Sequence, residues 1–273
     1  MNKVIIIGKR SNLSEHLQNS IINSILISDK EIENLALVIN KYEKVDIIYN
    51  TCFNTNLLNK KNTEPIKYSN YSFHYLAKFT NICRNYYKKI NSIIYTSTCG
   101  VYGENKFAKE HDTVKVTSLY SSLKISSEYF LTKYLEDTSI DLIYARVFNL
   151  YGGKDKFSVI SKINNAIKNN EPFVLSNNGN TIRDYIHIND VVNIYELILK
   201  FSYKGLINIC TGKGIATKTI INFEKNYYNK KLKIINKNSS EIKISVGSNN
   251  IISKKLKYKN FIELNKVIFK DLL

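Results

Sequence analysis

Hydrophobic residues along the chain form short runs that alternate with helical patterns. A continuous apolar run at residues 3–7 ends in Gly8, which is typical of a strand buried on both faces. A helix is predicted from about Leu13 to Asn19, and a second strand at residues 25–29. Strands and helices that alternate at these spacings predict an α/β fold with a doubly wound parallel sheet.

The alternation continues to residue 147, with one polar loop predicted at residues 54–67. Ligands of such sheets bind beyond the carboxyl ends of the strands, so we expect functional residues directly after predicted strands. The remaining predicted elements are helix Glu31–Tyr42, strand Val45–Asn50, helix Tyr71–Tyr87, strand Ile93–Ser97, helix Tyr120–Glu136 and strand Asp141–Val147.

The length of 273 residues allows one large domain or two interleaved ones. Hydrophobic content of 44% and charged content of 23% are typical of globular proteins. No apolar run approaches the length that crosses a bilayer, and the N-terminus enters a strand directly. We therefore expect a cytoplasmic protein without membrane contact.

The formal charge of +17 would suit a nucleic-acid partner, but the Lys residues are spread along the whole chain. This distribution indicates a compositional bias, so we expect no nucleic-acid partner, and acidic small molecules remain natural ligands of a basic cleft. The four Cys and four His show neither a CxxC spacing nor a metal-ligand pattern. We expect no metal site.

Tyr120 and Lys124 lie four residues apart near the start of a predicted helix, which places them on one face. A neighbouring cation favours the phenolate and lowers the pKa of a tyrosine, so that it can move a proton near neutral pH. An ordinary surface helix is the alternative, because Tyr129 and Lys133 repeat the same spacing.

Hydroxyl residues follow the predicted strand that ends at Ser97. The hydroxyl of Thr98 lies at the ligand-binding edge, where it can hydrogen-bond a substrate oxygen and hold it against Tyr120. A strand-end turn stabilised by Ser and Thr is the alternative interpretation.

The first strand, Gly8 and the following helix form the kind of start that holds a pyrophosphate on a helix N-terminus. Of the usual GxxGxxG pattern only Gly8 is present, and Ser11 and Ser14 take the other two places. The predicted cofactor-binding residues of this loop are Gly8, Lys9, Arg10, Ser11, Asn12 and Leu13.

Five motifs are spread along the chain, namely Gly8, Ser97-Thr98 with Val101-Tyr102-Gly103, Tyr120-xxx-Lys124, Arg146 to Gly152, and Arg183 to Asp190. They occur in the order and spacing of the extended short-chain dehydrogenases/reductases. The chain resembles, more narrowly, the NAD-dependent epimerase/dehydratase family that acts on nucleotide sugars, from residue 3 to about residue 260. This resemblance implies a Rossmann-type sheet with a smaller, mostly C-terminal substrate-binding domain.

The resemblance also implies roles for single residues. Thr98 matches the catalytic Ser/Thr of the family, Tyr120 the acid/base, and Lys124 the residue that binds the nicotinamide ribose and lowers the pKa of the tyrosine. Asn149 matches a substrate-contacting position. Arg183 matches an arginine that binds the nucleotide diphosphate, for which a bidentate guanidinium is suited.

The implied domains are a dinucleotide-binding domain at 1–151, completed by about 186–212, and a substrate-binding domain at 152–185 and 213–273. The resemblance implies a homodimer in which the helices predicted at Tyr71–Tyr87 and Tyr120–Glu136 form a four-helix bundle. Glu128 takes the place of an acidic residue that we interpret as structural. The short segment before Asp46 indicates that one strand–helix unit of the usual fold is missing.

Two features of the sequence favour different cofactors. Asp29 follows the second strand, where an acidic residue binds the adenosine ribose of NAD. Lys9 and Arg10 suit the 2′-phosphate of NADP, because charge-assisted hydrogen bonds are the stronger ones. We expect Asp29 to turn to solvent or to cap the next helix, and therefore expect NADP(H) to be favoured over NAD(H).

Three further positions narrow the choice of reaction. Family dehydratases carry Asp-Glu where this chain has Cys99 and Gly100, and the Cys and His of C3/C5 epimerases match Gly100 and Ser158, so neither reaction is expected. The hypotheses that remain are 4-keto reduction of a nucleotide sugar in bacterial surface-polysaccharide synthesis, which we favour, and 4-epimerisation with retained NAD. A non-catalytic, cofactor-sensing relative is a third alternative.

Overall fold

A computed structural model of the chain describes residues 2–50, 64–229 and 231–267. Most of the polar loop predicted at 54–67 lies outside these residues. The chain divides into two compact units, which are described separately. The first consists of Met1–Val101, Val116–Arg146 and Tyr195–Ile207, and the second of Tyr102–Lys115, Val147–Ile194 and Asn208–Leu273.

The described residues contain strands and helices in the alternation that the sequence predicts. The strands are β1 Lys3–Ile7, β2 Ser24–Ile27, β3 Val45–Tyr49, β4 Ile90–Thr98, β5 Asn105–Ala108, β6 Asp141–Val147, β7 Asn149–Tyr151, β8 Phe173–Ser176, β9 Ile182–His187, β10 Gly205–Ile209, β11 Gly214–Ala216, β12 Ile234–Lys237 and β13 Ile244–Gly247. The α-helices are α1 Asn12–Ser20, α2 Leu35–Asn40, α3 Pro65–Asn85, α4 Leu119–Tyr134, α5 Val159–Asn169, α6 Ile188–Lys200, α7 Thr217–Tyr228, α8 Asn250–Lys255 and α9 Leu264–Val267. Short 3₁₀ helices lie at Asp29–Asn34, Tyr87–Lys89, Cys99–Tyr102 and Asn177–Gly179.

The main sheet has six strands in the order β10-β6-β4-β3-β1-β2, and the pairs β1–β2, β1–β3 and β3–β4 are parallel. The apolar runs of β1 and β3 are buried along almost their whole length, as strands covered on both faces are. The predicted α/β fold with a doubly wound parallel sheet is therefore confirmed.

At the β2 edge, this sheet lacks one strand–helix unit of the usual fold. Residues 28–44, between β2 and β3, contain one 3₁₀ helix and α2 but no strand, so β2 lies at the sheet edge. This agrees with the short segment seen in the sequence. Helix α3 begins at Pro65 rather than near Tyr71, because Pro at the first helical position starts a helix that the apolar pattern alone did not reveal.

The second unit has a different architecture. Its larger sheet follows the order β11-β9-β13-β5, with β7 also paired to β9, and β8 pairs with β12 in a separate two-stranded sheet. Its core includes Ile163, Phe173, Tyr185 and Ile220 from helices α5 and α7 and strands β8 and β9. The assignment of the cofactor and the substrate to separate domains stays a prediction.

Candidate active site

The carboxyl end of β4 and the first turns of α4 bring the three predicted catalytic residues together. Ser118 caps α4 by accepting a hydrogen bond from Ser121 N at 3.2 Å, which fixes where the helix begins. Tyr120 then lies one turn before Lys124, and the Thr98 side chain hydrogen-bonds that of Tyr120. The arrangement has the form of an acid/base tyrosine with a hydroxyl partner.

Lys124 is almost fully buried, with 3% of its surface exposed. Its Nζ donates to the carbonyl oxygen of Thr96 at 2.8 Å and lies 4.9 Å from the ring centre of Tyr95. Both contacts are with β4, so the ammonium group is held at the same strand end that carries Thr98.

The pKa of Tyr120 departs from the expectation. Burial of the phenol, and second the nearby Cys99 thiol, raise its pKa to about 12, while the hydrogen bond from Thr98 lowers it by a smaller amount. The Tyr–Lys spacing predicted a lowered pKa for Tyr120, and this prediction is wrong for the chain without a ligand. In this state Tyr120 is protonated at neutral pH and can donate a proton.

Glu128 lies one helical turn beyond Lys124, in a buried ion pair. Its two carboxylate oxygens accept hydrogen bonds from Arg146 Nε at 3.2 Å and Nη2 at 2.7 Å, and Ser97 Oγ donates to one of them. Both charged side chains are 5% exposed. Residues 120, 124 and 128 of one helix face therefore contact Thr98, Thr96 and Ser97, three successive residues of β4.

The first loop fits the pyrophosphate of a dinucleotide. Gly8 has a φ of 118°, in the range that favours glycine, and α1 begins with Ser11 as its N-cap. Asn50, directly after β3, donates from Nδ2 to Ser11 Oγ at 3.0 Å and to Ser14 Oγ at 2.8 Å. The two serines that replace glycines are thus held by an amide that the sequence patterns did not single out.

The other predicted residues of this loop differ in exposure. Lys9 and Arg10 are exposed in the turn that precedes α1, and Asn12 is the first helical residue. Leu13 is buried in the core, so that it can offer a ligand its backbone but not its side chain.

The expected orientation of Asp29 is wrong. It neither turns to solvent nor caps the next helix, because Ser28 and Glu31 form the capping box there. Asp29 is 6% exposed, its Oδ2 accepts a hydrogen bond from Tyr71, and Arg10 Nη2 lies 3.6 Å from the same oxygen. The carboxylate therefore faces inward and lies close to the guanidinium of Arg10.

The two predicted substrate-binding residues belong to the second unit. Asn149 donates from Nδ2 to the carbonyl oxygen of Asp184 at 3.0 Å. Arg183 donates from Nη2 to the carbonyl oxygen of Ile242 at 2.5 Å and lies 3.4 Å from a carboxylate oxygen of Glu241. Its side chain is 16% exposed, so these contacts hold a guanidinium that keeps limited access to solvent.

Asp184 is a buried carboxylate within the motif Arg183 to Asp190, to which the sequence analysis gave no role. It accepts hydrogen bonds from the backbone and hydroxyl of Thr211 at 2.9 and 2.6 Å and from the backbone N–H groups of Gly212 and Gly247 at 2.9 and 3.4 Å. Burial raises its pKa to about 6 against the lowering effect of these donors. It ties β9, which carries Arg183, to two neighbouring segments.

A model of the NAD dependent epimerase/dehydratase family matches residues 2–210. The chain belongs to this family. The resemblance inferred from the five motifs is confirmed.

Two curated relatives illustrate the range of the family. The chain is 29% identical over 202 residues to the dTDP-D-glucose 4,6-dehydratase of Dictyostelium discoideum, covering 66% of the chain and 45% of that protein. It is 27% identical over 168 residues to the ADP-L-glycero-D-manno-heptose-6-epimerase of Brachyspira hyodysenteriae, covering 58% and 52%. The matched part thus spans about half the length of these curated relatives.

Solved structures of family members share the fold over nearly the whole chain. The UDP-glucose 4-epimerase of Thermus thermophilus, in complex with NAD, superposes with a TM-score of 0.84 at 16% identity, covering 98% of this chain and 97% of that one. The UDP-N-acetylglucosamine 4-epimerase of Methanobrevibacter ruminantium gives 0.83 at 20% identity, covering 99% and 96%. At these identities the likeness shows the fold.

That Cys99 and Gly100 take the place of the Asp-Glu of family dehydratases stays a prediction. A Cβ added to Gly100 would lie 3.5 Å from both Ser121 Cβ and Thr98 Oγ1, which is ordinary contact. The backbone therefore does not require glycine at this position, and there is room for a Cβ in contact with Thr98 and Ser121. Among the described residues, no group of three His, Cys, Asp or Glu could hold a metal ion, and no helix is long and apolar enough to span a membrane.

Proposed function

We propose that the protein is an NAD(P)-dependent oxidoreductase that reduces the 4-keto group of a nucleotide sugar, in the synthesis of a bacterial surface polysaccharide. The observation that carries this proposal is the Thr98–Tyr120 hydrogen bond beside the buried Lys124. A protonated tyrosine with an oriented hydroxyl partner is what carbonyl reduction needs on the oxygen side.

The proposed roles follow from the geometry. Thr98 binds the carbonyl oxygen and aligns it with Tyr120, and Tyr120 donates its proton to that oxygen as the carbonyl becomes an alcohol. Lys124 holds the nicotinamide ribose and favours the phenolate that Tyr120 becomes. A bound nicotinamide supplies the hydride that goes to the ring carbon.

The residues of the first unit fit such a cofactor. The Gly8 turn and the N-terminus of the nine-residue helix α1 offer a pyrophosphate site, and Asn50 keeps its two serines in place. The inward carboxylate of Asp29 suits the ribose hydroxyls of NAD and opposes a 2′-phosphate. We therefore propose NAD(H) as the preferred cofactor, in place of the NADP(H) that the sequence favoured.

On the substrate side we propose that Asn149 contacts the sugar and that Arg183 binds the diphosphate. The support is that both side chains are oriented by hydrogen bonds within the second unit, Asn149 to Asp184 and Arg183 to Ile242. A guanidinium already fixed by backbone carbonyls loses little further freedom when it binds phosphate oxygens.

The second candidate is 4-epimerisation, in which the sugar is oxidised and then reduced by the same NAD. Epimerisation is favoured by the two serines that Asn50 holds and by the inward Asp29. An enzyme that retains its cofactor must bind the pyrophosphate and the adenosine ribose tightly. The two candidates use the same residues, but in epimerisation Tyr120 must first accept the proton of the sugar hydroxyl and then return it. They also differ in whether cofactor is consumed.

One experiment separates the candidates. The purified protein is given a nucleotide-4-keto-sugar, generated in place by a dehydratase, with NADH or NADPH, and the absorbance of the reduced cofactor is followed. A reductase consumes it in proportion to product. An epimerase instead converts a nucleotide hexose without added cofactor and releases NAD on denaturation. Cofactor binding without either activity would leave the cofactor-sensing alternative.

We further propose a homodimer formed by α3 and α4. These helices contact each other, and each carries an exposed apolar residue, Ile66 at 76% and Tyr129 at 63% exposure. Light scattering at micromolar concentration should give twice the mass of the chain, and Tyr129→Glu should shift it toward the monomer. A monomer in the wild type would contradict this proposal.

A further inference from the structure

Tyr71 belongs to the cofactor side of the first unit although no sequence pattern singled it out. We propose that Tyr71 is a specificity-determining residue, which selects NAD(H) over NADP(H) by holding the carboxylate of Asp29 in an inward position. This inference rests on the proposed function, since it assumes that the loop beginning at Gly8 binds a dinucleotide.

The contacts show how Asp29 is held. Tyr71 donates to Asp29 Oδ2, while Ser28 Oγ donates to Oδ1 at 3.2 Å. Arg10 Nη2 lies 3.6 Å from Oδ2 and donates to the Tyr71 hydroxyl at 3.4 Å. A carboxylate has about four acceptor positions, so each oxygen of Asp29 has accepted one hydrogen bond and keeps capacity for a ribose hydroxyl.

The charges explain why this arrangement discriminates. Arg10 is 59% exposed and Asp29 8% by side chain, so that solvent screens the guanidinium while the carboxylate stays buried. Burial first, and second the hydrogen bond to Asp29, raise the pKa of Tyr71, which therefore remains a donor. A 2′-phosphate would meet the fixed negative charge, whereas a 2′-hydroxyl can donate to it.

The surroundings of Tyr71 fix its ring. Its helix α3 begins at Pro65, and Tyr71 packs edge-on against Tyr75 with ring centres 4.9 Å apart. Both tyrosines line an open cavity of about 740 Å³ along the first turns of α3, together with His74. Tyr75 shares the helix, the ring type and the cavity with Tyr71 but makes no hydrogen bond to Asp29 among the described contacts, which makes it a matched control.

The test compares Tyr71→Phe with Tyr75→Phe by fluorescence titration of NADH and NADPH, with thermal unfolding as a check on folding. Removing one hydrogen bond to a charged group should weaken NADH binding by about tenfold. We expect NADPH binding by Tyr71→Phe to change little, so that the Kd for NADPH divided by the Kd for NADH falls about tenfold. Tyr75→Phe should keep the wild-type ratio. Asp29→Asn, which removes the charge that Tyr71 holds, should lower the preference at least as far.

The outcomes are distinct. An unchanged Kd ratio in Tyr71→Phe, or an equal loss in Tyr75→Phe, would overturn the role of Tyr71 while leaving the proposed function intact. Tighter binding of NADPH than of NADH by the wild type would also overturn it. Failure of the wild type to bind either dinucleotide would overturn both this inference and the proposed function, and the wild-type titration alone detects it.

Discussion

Two buried glutamates, one in each unit, show how partners decide what a carboxyl group does. Glu128 lies on the face of α4 that carries Tyr120 and Lys124, and it receives two hydrogen bonds from the guanidinium of Arg146. Glu224 in α7 is fully buried, and the side-chain amide of Asn164 lies 3.0 Å from its Oε1. The side chain paired with Glu128 carries a full positive charge, whereas the amide that Glu224 faces is uncharged.

The difference appears in the pKa of Glu224. Burial raises it to about 8, and the charge of Lys168 lowers it by less. Glu224 therefore carries a proton over much of the neutral range, whereas Glu128 forms an ion pair. A buried ion pair is stable only when both partners are well oriented. The Glu128–Arg146 pair therefore fixes the position of the helix that carries Tyr120 and Lys124.

The largest expected effect breaks the ion pair. Glu128→Gln leaves the buried guanidinium of Arg146 without its counter-charge, which should lower the free energy of unfolding by roughly 3–5 kcal/mol in urea denaturation. The double variant Glu128→Gln/Arg146→Met removes both charges and should lose less. If the single variant were as stable as the double variant, the ion pair would not be the anchor described here.

A smaller effect, dependent on pH, is expected at Glu224. The folded state binds this proton more tightly than the unfolded chain, whose glutamate pKa is near 4.5. Its stabilising contribution is thus complete below pH 4.5 and is lost as the pH rises through about 8. Thermal unfolding of Glu224→Gln should match wild type at pH 4.5 and exceed it at pH 9, with a slope of at most about 1.4 kcal/mol per pH unit. Parallel curves for the two proteins would contradict this account.

The smallest effect is expected at an exposed ion pair. Lys78 Nζ lies 2.5 Å from Glu33 Oε1, and the hydrogen bond and charge of Lys78 lower the pKa of Glu33. Solvent screens this pair, so Lys78→Ala should leave the unfolding midpoint unchanged within error at low and at high salt. A loss comparable to that of Glu128→Gln would show that burial is not what separates the two kinds of pair.

Part of the site could be predicted because its signals are local. Tyr120 and Lys124 lie one helical turn apart, and Thr98 is the last residue of the largely apolar strand β4, so neighbouring residues alone place them. The sheet follows from the same kind of signal, since runs such as residues 3–7 are apolar throughout. Periodicity and strand ends are properties of the chain that survive without tertiary contacts.

The remainder depends on contacts between distant residues. Asn50 and Ser14 are 36 positions apart, and Asp29 and Tyr71 are 42 apart, so their hydrogen bonds exist only after α1 and α3 pack on the sheet. The raised pKa of Tyr120 has the same origin, because burial is a result of packing. The outward Asp29 and the lowered tyrosine pKa were both predicted from local charge, and both are wrong for this reason.

The measurement that tests the central claim most directly is the turnover of Tyr120→Phe with its cofactor affinity. The variant keeps the ring but loses the proton that Thr98 orients, so turnover should fall by about a hundredfold or more. Its Kd for NADH should stay within a few-fold of wild type, with Tyr129→Phe on the same helix as the control. Near wild-type turnover in Tyr120→Phe would contradict the assignment of this residue as the acid/base of the site.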